Sequence, residues 1–278
     1  MTRLLLLLAA LMLAAPAAAQ NAHDDIEHIK EGMPVTLDPG SAYLLIRTEV
    51  PEDALRYNVV FVRALSGPEL DDYAVSRAKA LDEARSKPGA TDDKVAAAMA
   101  KFVERYKAAT NVIFMGSGRS FATNADGATY LLRVRPGRYM IAGPGYGAII
   151  NLCMCMGTVG FEAKPGVITD LGYVLAARAD KPSSVAELRA DTARLGEHGT
   201  MPLMFAMTVR PWRETMAVPP PLASMTRVPA YYYAIGKLPN LFGNLIGRMA
   251  PIPGVLAYDG DKVIDVKTGR RAPDIGMP

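Results

Sequence analysis

The amino-acid sequence predicts a mainly β protein: an antiparallel β-sandwich with an inserted αα-hairpin and a proline-rich C-terminal arm. Three observations carry that reading. Short alternating segments, rich in β-branched and aromatic residues and separated by turn residues, recur from about residue 40 to residue 178. Over residues 71–107 the apolar period changes from two to 3.6, which inserts a pair of helices. From Met201 to Pro253 methionine and proline crowd the chain, with Pro219-Pro-Pro221 among them, so this stretch is expected to lie across the sandwich rather than inside a sheet.

The elements follow in order. Arg3, the apolar run Leu4–Ala15, Pro16 and Ala17-Ala18-Ala19 form a signal peptide, with cleavage expected near Ala19/Gln20. The run is shorter than the roughly 20 residues of a membrane span, and no later stretch reaches that length. The mature chain is therefore expected in the periplasm or secreted, without a transmembrane segment. Residues 20–34 read as a solvated polar leader, 35–180 as the sandwich and 181–278 as a short helix, the extended arm and a terminal hairpin.

Within the sandwich, Tyr43–Val50 and Tyr57–Arg63 are strands. The first inserted helix places Val75, Ala78, Leu81 and Ala84 on one face. Thr91 caps the second, which aligns Val95, Met99, Phe102 and Tyr106. Strands resume at Asn111–Met115. Further on, Ser183 or Ser184 can cap a short helix to about Leu195, and Leu241–Met249 suits another. Val255–Val266, centred on Asp259-Gly260, is a β-hairpin.

Two strand segments share one pattern, Leu132-Arg-Val-Arg-Pro-Gly-Arg-Tyr139 and Phe161-Glu-Ala-Lys-Pro-Gly-Val-Ile168. Each is a strand entering a Pro-Gly turn and leaving as another strand. This Pro-Gly-x-Tyr unit, with Phe161–Gly166 after it, resembles a recurring feature of exported bacterial β-sandwich domains of the transthyretin-like or carboxypeptidase-regulatory-like type. The resemblance spans residues 40–180 apart from the helical pair. It implies the fold and an extracytoplasmic setting, and it brings no catalytic residue with it.

Composition narrows the function. Of 278 residues, 31 are basic and 28 acidic, for a net charge of +3, and 50% are hydrophobic. That excludes intrinsic disorder and gives no electrostatic footprint for nucleic acid. Two cysteines are too few for a disulfide-dense scaffold. They stand in Cys153-Met-Cys155-Met156, where three readings stay open. The cysteines can be small core hydrophobes, a disulfide, or soft ligands for copper. On a flat strand Cys153 and Cys155 share a face about 6.6 Å apart, with the methionines on the other. The histidines add little: His23 and His28 fall in the leader and His198 near a helix end. Cleavage after Gln20 would make His23 the third residue and a copper(II) chelate with the new amine.

Enzyme motifs are missing. There is no Gly-x-Ser-x-Gly and no His-Glu-x-x-His, and a Ser/His/Asp triad would have to recruit His198 or the leader. Gly116–Ser120 lacks the end of a phosphate loop, Gly143–Gly147 reads as a turn, and Asp259, Asp261 and Asp265 read as solvated hairpin carboxylates. Tyr231–Tyr233, Trp212, Phe205 and Phe242 are expected to anchor the arm. The sequence thus points to an exported, non-catalytic binding or envelope-associated assembly protein whose partner is an envelope protein, a peptide or a glycan. The alternatives are a periplasmic copper-binding protein centred on Cys153 and Cys155, copper being the one cofactor considered, and, further off, a hydrolase.

Overall fold

The structure, a computed structural model, describes residues 26–49, 57–65, 67–110, 112–115, 120–124, 127–146, 150–178, 183–189, 205–238 and 245–275. The expected signal peptide, the helix towards Leu195 and the start of the 241–249 helix lie outside these residues. The chain runs β1 (Glu27–Ile29), β2 (Ala42–Glu49), β3 (Asn58–Arg63), α1 (Pro68–Ser86), α2 (Asp92–Thr110) and β4 (Val112–Met115). Next come β5 (Ala122–Asn124), β6 (Gly127–Val134), β7 (Gly137–Tyr146), β8 (Ile150–Cys153), β9 (Thr158–Ala163) and β10 (Ile168–Arg178). After a 3-10 turn at Ala186–Leu188 follow β11 (Phe205–Arg210), β12 (Arg227–Pro229), β13 (Tyr233–Ile235) and β14 (Leu245–Ile246). The end is a meander of β15 (Leu256–Asp259), β16 (Lys262–Asp265) and β17 (Arg270–Arg271).

The strands form a mainly antiparallel sandwich. Its first sheet has the order β1-β6-β2-β10-β11, with β5 beside β6 and β12 beside β10. The second has the order β13-β9-β7-β3-β4, with β8 beside β7 and β14 beside β8. Only β2–β10, β10–β12 and β8–β14 pair in parallel among the described strands. Alternation decides which side chains meet between the sheets. Leu44 and Ile46 of β2, Leu132 of β6 and Val174 of β10 point inward to Val59 and Phe61 of β3 and Phe161 of β9. Phe161 stacks on Tyr139 (5.8 Å between centroids) and meets Phe61 and Tyr232 edge-on at 6.1 and 5.9 Å. Such pairs add about 0.5–1.5 kcal/mol each beyond the area they bury.

The two Pro-Gly units are where the chain changes sheet. Val134 ends β6 in the first sheet and Gly137 opens β7 in the second; Ala163 ends β9 in the second and Ile168 opens β10 in the first. At the second corner Gly166 takes the positive φ (+72°) that a type II turn demands, and its N–H donates to the Ser41 carbonyl at 2.8 Å. At the first, the Tyr139 hydroxyl donates to the Arg135 carbonyl at 2.6 Å, a tyrosine corner that explains the Tyr of Pro-Gly-x-Tyr.

The helical pair is wider than 71–107 and attaches at this corner. Glu69 of α1 accepts Arg63 (Nη1–Oε2 2.9 Å) and faces Arg135 at 3.6 Å. Thr91 begins α2, its carbonyl accepting the Val95 N–H at 2.9 Å. In α1 the packed face differs from the expected stripe: Tyr73 and Ala84 are buried while Val75 is 70% exposed. The Tyr73 ring packs 6.0 Å from that of Phe102 in α2, on a face the expected stripe does not include.

The leader and the segment after residue 180 both join the sheets more fully than expected. The leader supplies β1, because Ile29 opposite Leu131 finds an apolar site on the outer face of the first sheet. Beyond residue 180, Phe205–Arg210 contains no proline and alternates, so it pairs with β10 as β11. The proline-rich stretch itself lies over the first sheet, where Val218, Leu222 and Met225 pack on Tyr43, Leu45 and Ile168. Residues Leu245–Ile246 form β14 rather than helix. The Asp259-Gly260 hairpin joins β15 to β16, with Asp259 opposite Lys262.

Candidate functional site

The cysteine segment ends β8 and bends at once. Cys153 is the last strand residue and Cys155 lies in the following turn, which brings their Cα atoms to 5.1 Å, and the two are joined as a disulfide. A flat strand would hold them about 6.6 Å apart, near the long limit for a bridge, and the bend brings them well inside it. Both cysteines are buried. Met154 is fully buried in the inter-sheet core, whereas Met156 is 45% exposed, so the two thioethers lie in different surroundings.

The arm grips this turn from two sides. The Gly247 N–H donates to the Cys153 carbonyl at 2.8 Å, and the Met156 N–H returns to the Gly247 carbonyl at 3.1 Å. The Leu238 N–H donates to the Cys155 carbonyl and Met249 to the Gly157 carbonyl, both at 2.8 Å. From below, the Met154 N–H donates to Ala142 at 2.8 Å. Gly143 belongs to β7 rather than to a turn: a Cβ there would sit 1.9 Å from the Leu152 carbonyl oxygen, so close crossing of two backbones explains this glycine.

Among the described residues no group of three or more His, Cys, Asp or Glu side chains can hold a metal ion. A bridged pair also offers no thiolate to copper. His23 and His198 lie outside the described residues, while His28 sits in β1. Asp265 serves its own turn, accepting the Thr268 N–H at 2.9 Å; Asp259 and Asp261 are exposed. Of the arm aromatics, Tyr232 is a core anchor whose hydroxyl donates to the Leu171 carbonyl at 2.9 Å. Burial raises its pKa well above the ordinary value, with the nearby Asp170 charge acting in the same direction. Tyr233 lies over Gly160, and Tyr231 is exposed, capped by the Lys267 ammonium 3.5 Å from its ring centroid. The side chain of Phe205 and all of Phe242 lie outside the described residues.

A second polar centre carries no sequence motif. On the outer face of the first sheet Arg47 of β2 and Asp170 of β10 are both buried and paired by two bonds, Nη1–Oδ1 2.6 Å and Nη2–Oδ2 3.1 Å. Asp170 stands at a β-bulge, where the Gly172 N–H adds a bond to Oδ1 at 3.0 Å. Arg47 also donates to the Ala217 carbonyl of the arm from Nε (3.2 Å) and Nη2 (3.1 Å). Arg227 of β12 brings a second guanidinium, its Nε 3.4 Å from Oδ2, and its Cζ lies 5.8 Å from the centroid of the Trp212 ring. The centre thus ties the arm to the sheet with two cations and one anion. The sequence signal is a lone charge inside each of two apolar strands, Tyr-Leu-Leu-Ile-Arg47 and Val-Ile-Thr-Asp170-Leu. Comparison with protein-family models, with curated proteins and with solved structures finds no match.

Proposed function

We propose that the chain is an exported, non-catalytic binding or envelope-assembly protein. Cleaved near Ala19/Gln20, it works in the periplasm or outside the cell, on a sandwich of the transthyretin-like type. The observation that carries this reading is the apolar pair beside the bridged turn. Met156 and Ile246 are 45% and 53% exposed, and their backbones are held together where β14 pairs with β8 and Met156 bonds to Gly247. Large apolar side chains held in water on a braced turn are the raw material of a contact surface. A disulfide persists in oxidising compartments and is rare in reducing ones, which supports export. The partner fits as an envelope protein or peptide with an apolar segment.

The test is an affinity pull-down from the envelope with the mature protein and with the Met156→Asp/Ile246→Asp variant. The expected result is an envelope component recovered with the first and lost with the second, while both give the same circular dichroism. Equal recovery by the two proteins, or none by either, would remove this surface as the binding site.

A further inference from the structure

The polar centre under the arm has donors left over. Asp170 gives both oxygens to Arg47, and Arg227 reaches it only through Nε at 3.4 Å. The Arg227 side chain is 19% exposed, yet its terminal nitrogens make no hydrogen bond to any described residue. Beside it the Trp212 Nε1 is buried without an acceptor. A guanidinium and an indole can only donate, so this corner holds two donor groups and lacks an acceptor. Leaving a donor such as the buried Trp212 Nε1 unmet out of water is costly.

We propose that Arg227 and Trp212 form a binding subsite for the carboxylate of a small or peptidic ligand, apart from the Met156–Ile246 surface. Charge selects the class of ligand. With two guanidinium groups against one carboxylate, the centre keeps one unit of positive charge, which a single carboxylate neutralises and a neutral water does not. Shape agrees: the free end of a guanidinium is a planar fork that a carboxylate meets with two parallel bonds. The indole ring beside the guanidinium then serves as an apolar wall for the body of the ligand. Arg227 and the Trp212 ring are each partly exposed, whereas the Trp212 Nε1 itself is covered.

Trp212 is the one tryptophan of the chain, so emission excited selectively from tryptophan reports this corner alone. The mature protein is titrated with N-acetyl-leucine, with its uncharged amide and with inorganic phosphate, at ionic strength held constant with sodium chloride. The expected result is a saturable change in emission with the carboxylate and none with the amide. Arg227→Gln should weaken the carboxylate at least about tenfold, and Arg227→Lys, which keeps the charge without the fork, should fall between. Equal responses to acid and amide, or no saturation with either, overturn the subsite and leave a bridging water as the acceptor. Saturation by phosphate alone overturns the assignment to a carboxylate. The comparison of acid with amide uses the unaltered protein, so it decides the matter even if an Arg227 variant fails to fold.

Discussion

The two faces of the first sheet are buried by different means. Towards the second sheet, Leu44, Ile46, Leu132 and Val174 meet a wall of aromatic rings, and the polar groups there are mainly tyrosine hydroxyls that find backbone carbonyls. Tyr57 donates to Val174 at 2.8 Å and Tyr232 to Leu171 at 2.9 Å. Towards the arm, the same sheet buries an arginine and an aspartate and holds the cover down through them. Apolar packing tolerates many arrangements of similar volume, whereas a buried ion pair accepts one geometry and punishes the loss of either partner. The inner face supplies bulk stability. The outer face fixes where the arm lies, and its spare donors are what a ligand can use.

The largest expected effect breaks the outer face. Asp170→Ala leaves Arg47 buried without its carboxylate and should lower unfolding free energy by about 3–5 kcal/mol. Replacing both partners, Arg47→Met with Asp170→Leu, should recover much of that loss, because the fully buried Arg47 charge goes with its carboxylate and only the partly exposed Arg227 is left without one. Urea titration of the two variants checks both halves. A double variant as unstable as Asp170→Ala would mean that the pair contributes net stability and does more than set geometry.

A smaller effect is expected at the bridged turn, which lies on the second sheet. The Cys153–Cys155 bridge closes a loop of three residues, so the entropy it removes from the unfolded chain is worth only about 1.5 kcal/mol. Cys153→Ser/Cys155→Ser should therefore shift the urea midpoint modestly and match the unaltered protein under reducing conditions. The backbone bonds from Gly247, Leu238 and Met249 hold the turn in either case. A loss as large as that of Asp170→Ala would show that the bridge, and not the arm, shapes this turn.

This contrast also marks what could be read from residues alone. The sandwich, the helical pair and the Asp259-Gly260 hairpin were legible because each rests on a local period or a local turn. The packed face of α1 was not, since it is Tyr73 against Phe102 of α2, a partner in another element, and not the spacing of Val75, Ala78 and Leu81. In β2 both faces are buried, so no alternation sets Arg47 apart from the apolar residues before it. The partner of that charge is 123 residues away, and only the parallel pairing of β2 with β10 brings it near. The two cysteines, two residues apart, were visible at once. Their bridge depends on a bend at Met154 that no periodicity encodes.

The smallest effect sharpens the comparison at the other end of the outer face, where the 3-10 turn Ala186–Leu188 covers Leu175 and Ala177. Here the ions sit nearer to water. Arg210 of β11 is gripped by Glu187 (Nη2–Oε2 2.9 Å) and by Glu49, and it lies 5.3 Å from the Tyr173 ring centroid. The hydrogen bond from Arg210 is the main reason that the Glu187 carboxyl titrates below its ordinary value of 4.5. A carboxyl whose folded pKa is lowered adds stability that is present above the unfolded value and is lost as pH falls through the folded one. Glu187→Gln should therefore be less stable than the unaltered protein near neutral pH, by less than about 1 kcal/mol for so solvated a pair. Urea midpoints followed from pH 7 into the acid range should converge below the ordinary glutamate value, where Glu187 takes up its proton and becomes as neutral as glutamine. A gap that stays constant through that range would assign the effect to side-chain packing on the turn, with the charge of Arg210 met by Glu49.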